Sequence, residues 1–177
     1  LHNRNALEAH VSELLARIQM QDINASFLLI DIDRFRLINE SCGCIAGDEL
    51  LRQFADSIAG LLTRNDFFAR LGGDRFAVVT FCDEGDKGLA LANNILKHLE
   101  QFNFQWEDRQ FKLAASIATV PLTRVMVSYD QVMLAADEVI FVAKREARGG
   151  IFSYEDAAKR SDLHKDNINW ASRLVDA

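Results

Sequence analysis

Ala69-Arg70-Leu71-Gly72-Gly73-Asp74-Arg75-Phe76-Ala77-Val78 places two glycines, an acid and a cation between two apolar runs, Phe67 to Leu71 and Phe76 to Phe81. Glycine accepts positive φ without a Cβ penalty, so a glycine pair is the natural point for a chain to reverse. The stretch predicts a β-hairpin whose turn is Gly72-Gly73-Asp74-Arg75. Asp74 then sits where a ligand can come close to backbone.

Upstream, Phe27 to Ile32 is an apolar run interrupted by Asp31 and closed by Asp33, the pattern of a buried strand. An ionised carboxylate in such a strand is costly unless it is paired or metal-bound. Asp33, two residues on, leaves from the same face. If strand and hairpin are neighbours, Asp31 and Asp74 meet at one end of a sheet. Two hard oxygen ligands beside a roomy loop suit Mg²⁺ with substrate phosphates. The residues alone equally allow a blander outcome, in which Asp31 and Asp33 end a strand and Asp74 makes the turn.

Working outward, Leu7, Val11, Leu14, Leu15 and Ile18 predict a first helix capped by Asn5. Asp48 is expected to open a second long helix with Leu51, Phe54, Ile58, Leu61 and Leu62 on one face. Leu89 to Leu99 gives a third. Phe104 to Trp106 and Phe111 to Val120 suggest a strand pair joined by Glu107-Asp108-Arg109, followed by a helix over Tyr129 to Ala147 and a short strand over Ile151 to Tyr154. This order predicts an α/β (α+β) domain, a mixed sheet with helices on its faces. Residues 1–154 form that domain. Residues 155–177 are polar and helical in pattern, with Leu163, Ile168, Trp170 and Leu174 as sparse apolar anchors, and are expected to be a linker helix toward a further domain.

The chain has 177 residues, 49% of them hydrophobic, enough for one core without disulfide or metal staples. Its formal charge of −6 argues against binding nucleic-acid backbone, though not against a single nucleotide. Cys42, Cys44 and Cys82 match no zinc or CxxC spacing and are read as reduced thiols of a cytoplasmic protein. No run approaches the ~20 apolar residues that span a bilayer, so no membrane contact by this segment is expected. The chain starts at Leu1 inside a helix approach, which suggests a piece of a larger protein. That protein could be membrane-associated elsewhere, with this part in the cytosol.

These motifs resemble the GGDEF family of diguanylate cyclase domains. The hairpin is similar to the family's RLGGDEFAV. Leu29 to Asn39 resembles its strand-and-loop signature, and Ala46-Gly47-Asp48-Glu49-Leu50-Leu51 its AGDELL helix start. Ala136-Asp137 and Ala143-Lys144 resemble its late helix, and Leu1 to Arg4 its LxNR lead-in. The match spans roughly residues 1 to 154, and the tail from Asp162 resembles a connector to an EAL phosphodiesterase domain. The resemblance implies a palm-like nucleotidyl cyclase sheet, and an activity that joins two GTP into cyclic di-GMP across a pair of domains, hence a homodimer. It also implies roles. Asp31 and Asp74, with the Ile32 carbonyl, hold Mg²⁺. Asn39 and Asp48 read guanine, where residue type alone would suggest helix caps. The backbone of Arg34, Phe35 and Arg36 cradles phosphates, and Lys144 and Arg148 contact terminal phosphate oxygens.

Four departures qualify that picture. Arg75 stands where active members carry a catalytic Glu, which opposes Mg²⁺ and removes a proton acceptor. Arg75 is expected to pair with the triphosphate or, failing that, to point to solvent or to Asp33. The inhibitory RxxD keeps Asp66 but has Thr63 for its Arg, with Arg64 one residue off, so product inhibition is not expected. Ala147 and Gly149 differ from the late GRN pattern, and Ala118 replaces a Gly. The expected function is GTP binding in a regulatory role with little or no cyclase activity, beside an EAL-like partner domain. The alternatives are an active Mg²⁺-dependent diguanylate cyclase and a structural dimerisation domain.

Overall fold

The computed structural model describes residues 1–81, 87–146 and 149–157. Its elements run β1 (His2–Asn3), α1 (Arg4–Met20), β2 (Ala25–Ile32), α2 (Phe35–Cys42), α3 (Cys44–Ala59), β3 (Phe67–Gly72), β4 (Arg75–Phe81), α4 (Lys87–Gln101), β5 (Asn103–Trp106), β6 (Arg109–Lys112), β7 (Ala115–Leu122), α5 (Tyr129–Glu146) and β8 (Gly150–Ser153). Among the described residues, six strands form one mixed sheet in the order β1-β3-β4-β2-β7-β8. β2 lies at its centre, antiparallel to both β4 and β7.

Strand alternation divides the core in two. Phe27 and Leu29 of β2, Ala77 and Val79 of β4, and Ala118 and Val120 of β7 face α1 and α5. Leu28, Ile30 and Ile32, with Phe76, Val78 and Ile117, face the layer of α2, α3 and α4. Every residue of β2 is buried, as a central strand covered on both faces requires. Asp31, Arg75 and Ser116 share the α5 face, because Asp31 is the register partner of both others.

The expected hairpin, buried strand and mixed sheet are present. Four details differ. The cap of α1 is Asn3, whose side chain accepts from the Ala6 N–H at 3.0 Å, and Asn5 lies inside the helix. The second long helix starts at Cys44, so Asp48 is in its second turn and caps nothing. A short helix, α2, precedes it. Phe111 to Val120 is not one strand. Residues 109–112 pair with β5 in a separate hairpin, and the chain then turns into the central β7. Residues 158–177, most of the expected linker, lie outside the described residues, as do Cys82 and Arg148.

Near the start of the chain, Phe67 is stacked by two imidazoles, His2 at 4.2 Å and His10 at 4.1 Å between centroids. Burial pushes His10 below its usual 6.5, with Glu13 opposing and His2 and Arg17 adding to the shift. A histidine depressed in the fold takes up its proton more readily when unfolded, so stability holds above pH 6.5 and declines as pH falls below it. Melting curves between pH 7.5 and 5.5 should fall in the native chain and flatten in His10→Phe.

Candidate functional site

The end of β2, the tip of the β3–β4 hairpin and the last turns of α5 converge. The turn is built on Gly72 (φ 125) and Gly73 (φ 56), conformations open to glycine. Arg70 braces it through Nη2, which donates to the Gly73 carbonyl at 3.0 Å. The Ile32 N–H donates to the Asp74 carbonyl at 3.1 Å, which fastens the tip to the end of β2 and brings the Asp74 side chain near Asp31.

Asp31 is 7% exposed. Its Oδ1 accepts from Lys144 Nζ on α5 at 2.6 Å. Burial raises the Asp31 carboxyl above its ordinary value; Lys144 opposes that, the charge on Asp74 adds to it, and Arg75 opposes it. Arg75 does not pair with Asp33. Its guanidinium Nη2 donates to Asp137 Oδ1 on α5. Its Nε is buried with no partner among the described residues. Asp33 is held instead by the Ser116 hydroxyl, 3.1 and 3.2 Å from its two oxygens. Two ion pairs thus cross from sheet to helix, Asp31 to Lys144 and Arg75 to Asp137. The sequence reading missed Asp137 as a partner. The available signal was its spacing: seven residues before Lys144, two turns along one helix face.

The residues expected to read a base sit on the other layer. Asn39 lies in α2 and Asp48, exposed, in α3. A Cβ on Gly47 would fall onto the Asn39 side chain, 2.9 Å from its Cγ, and 3.1 Å from Phe35 Cζ. The absence of a side chain at Gly47 is therefore what seats Asn39. Gly47→Ala raises helix propensity by up to about 1 kcal/mol, so the fold should survive. With Asn39 in the base-reading role that the family resemblance implies, its displacement should still weaken guanine nucleotide binding by about three- to tenfold, the worth of one hydrogen bond. Calorimetry beside a melting curve checks both halves.

Arg34 enters α2 in the left-handed conformation (φ 58, ψ 23). Arg36 pairs with Glu40 on its own helix at 2.7 Å. Asp66 is turned inward on its loop, where Oδ2 accepts from the Thr63 N–H and hydroxyl at 2.7 and 2.8 Å. Thr63, which stands where the family resemblance expects an Arg, thus engages the Asp66 carboxylate itself.

A divalent ion between Asp31 and Asp74 would meet one carboxylate already carrying an ammonium. It would also meet a guanidinium where a third carboxylate would complete the set. A dication ~4 Å from a unit positive charge is opposed by about 8 kcal/mol at an effective dielectric of ~20. Among the described residues no group of three His, Cys, Asp or Glu side chains is arranged to hold a metal. Asp31 and Asp74 thus offer a divalent ion two carboxylates, opposed by the charges of Lys144 and Arg75.

A cleft of about 500 Å³ lies at the opposite end of the sheet, lined among others by Ser26, Thr119, Ser153 and Asp156. It contains none of the residues above. No helix among the described residues is long and apolar enough to cross a membrane.

Comparison with known proteins places this geometry among relatives. A family model described as diguanylate cyclase, GGDEF domain, matches residues 1–150. The chain is 30% identical to the probable diguanylate cyclase DgcE of Escherichia coli K12 over 177 residues, 99% of this chain and 16% of that protein. It is 28% identical to the cyclic di-GMP phosphodiesterase PdeB of Shewanella oneidensis, over 100% of this chain and 20% of that protein. The chain therefore spans a fifth or less of the length of these two relatives. Among solved structures, it superposes on the GGDEF domain of TpbB from Pseudomonas aeruginosa with a TM-score of 0.80. That match has 31% identity and covers 86% of this chain and 96% of that one.

Proposed function

Since the chain belongs to the GGDEF diguanylate cyclase family, a domain of cyclic di-GMP signalling, we propose that it is a regulatory GTP-binding module with little or no synthase activity. The carrying observation is Arg75. It replaces the carboxylate of the signature and is tied into the fold by Asp137. Cyclases of the family use Mg²⁺, and synthesis needs a 3′-hydroxyl stripped of its proton. A guanidinium can neither accept that proton nor share the metal. Base recognition rests on parts away from Arg75: Asn39 seated on Gly47, Asp48, and the backbone at the start of α2.

Thr63 and Asp66 support the same reading, since a domain that makes no product has no use for a product-inhibition site. Within a longer protein, the module's partner is an EAL-like phosphodiesterase domain whose activity GTP occupancy tunes. Similarity to PdeB, a phosphodiesterase by name, supports that assignment. A cytoplasmic setting follows from GTP as ligand.

Calorimetry with GTP and ATP, paired with a chromatographic assay for cyclic di-GMP, tests the proposal. Saturable binding of GTP over ATP without product is the expected result. Product at a rate typical of working enzymes, about 1 to 10³ turnovers per second, would reinstate an active cyclase. No binding of either nucleotide would leave a structural domain.

A further inference from the structure

Lys144 and Arg75 are anchored on one side and open on the other. Lys144 gives one N–H to Asp31 at 2.6 Å, and its side chain is 34% exposed. Arg75 gives Nη2 to Asp137, and its side chain is 32% exposed. An ammonium has three donors and a guanidinium five, so each cation keeps N–H groups for a second acceptor. Their positions are fixed by the two elements that bound the site, the hairpin and α5. Asp31 and Arg75 are register partners, which sets the two ion pairs side by side.

A divalent ion in a phosphate-transfer site bridges protein carboxylates to phosphate oxygens. Here two of the chain's own cations stand in front of carboxylates, Lys144 before Asp31 and Arg75 before Asp137. We propose that this domain binds its nucleoside triphosphate without a divalent ion, Lys144 and Arg75 linking Asp31 and Asp137 to the phosphate chain. The inference rests on the GTP-binding reading above and goes beyond it. Mg²⁺ becomes dispensable for binding, so occupancy follows nucleotide concentration alone.

Calorimetric titration of the chain with GTP is run in EDTA and again in excess MgCl₂. A melting curve with MgCl₂ and no nucleotide accompanies it. The expected dissociation constants agree within about threefold, and MgCl₂ alone leaves the melting point unmoved. Lys144→Gln should weaken GTP at least tenfold in both buffers, whereas Lys144→Arg, which keeps the charge, should recover most of that loss. Arg75→Glu should make binding dependent on MgCl₂ by more than tenfold. Binding confined to the MgCl₂ buffer, or a melting point raised by MgCl₂ alone, overturns the inference and leaves the GTP-binding module standing. Absence of binding in both buffers removes the module and this inference together.

Discussion

Arg75→Glu should raise cyclic di-GMP synthesis well above that of the native chain. The substitution removes a cation from the α5 face of the sheet and restores a carboxylate at the register partner of Asp31. Each unit of charge at ~4 Å is worth about 4 kcal/mol at an effective dielectric of ~20. Recovering half of one such interaction in the transition state accelerates the step by about 30-fold. The variant should cost stability when no divalent ion is present, because the new carboxylate would stand near Asp31, Asp74 and Asp137 with the native ion pair gone. A product assay at high protein concentration, where two domains can meet, reads the first effect; a melting curve in EDTA reads the second. Arg75→Ala should restore less, since it removes the cation but supplies no proton acceptor. Equal product from native chain and Arg75→Glu would show that Arg75 is not the block.

Phe76→Ala, one residue along, should act on the fold instead. Phe76 is fully buried and packs on Phe54 at 5.0 Å and Phe68 at 5.8 Å between ring centroids. These rings join β3 and β4 to α3, so they hold the hairpin in place against the helix that carries Asp48. Truncating a buried Phe removes transfer energy and leaves a cavity, about 3–5 kcal/mol in all. For a domain of this size that lowers the melting point by roughly 6 to 20 °C. Phe141 on α5 is the control. It is 62% exposed, with Arg145 over its ring at 5.5 Å, and Phe141→Ala should change stability by about 0.5 kcal/mol or less. Comparable losses at both positions would mean that the α3 side of the sheet is not packed as described.

Much of this arrangement was legible in the residues alone. The glycine turn, the Asp31 strand and the long helices are strong local patterns, and local patterns fix elements well. Neighbouring of β2 and the hairpin was the one topological step required, and β2 indeed pairs β4. What the sequence hid was long-range. Phe111 to Val120 looks continuous because apolar residues suit either sheet, and only tertiary pairing divides it near Leu113. Asp48 resembles a cap by residue type, yet α3 already begins at Cys44, where Gly43 at φ 84 separates it from α2. The partner of Arg75 is 62 residues away on α5. Helix spacing sets Asp137 on one face with Lys144, but only placement of α5 across the sheet chooses it over Asp33. Gly47 likewise looked like one letter of a motif, and its reason, the space that Asn39 occupies, appears only in three dimensions.

A crystal structure with a non-hydrolysable GTP analogue tests the central claim most directly. The account predicts a triphosphate between the Gly72-Gly73 turn, the start of α2 and Lys144, with the guanine against Asn39 and Asp48. An analogue lodged in the cleft beside Ser26 and Thr119, or none bound at saturating concentration, would contradict it.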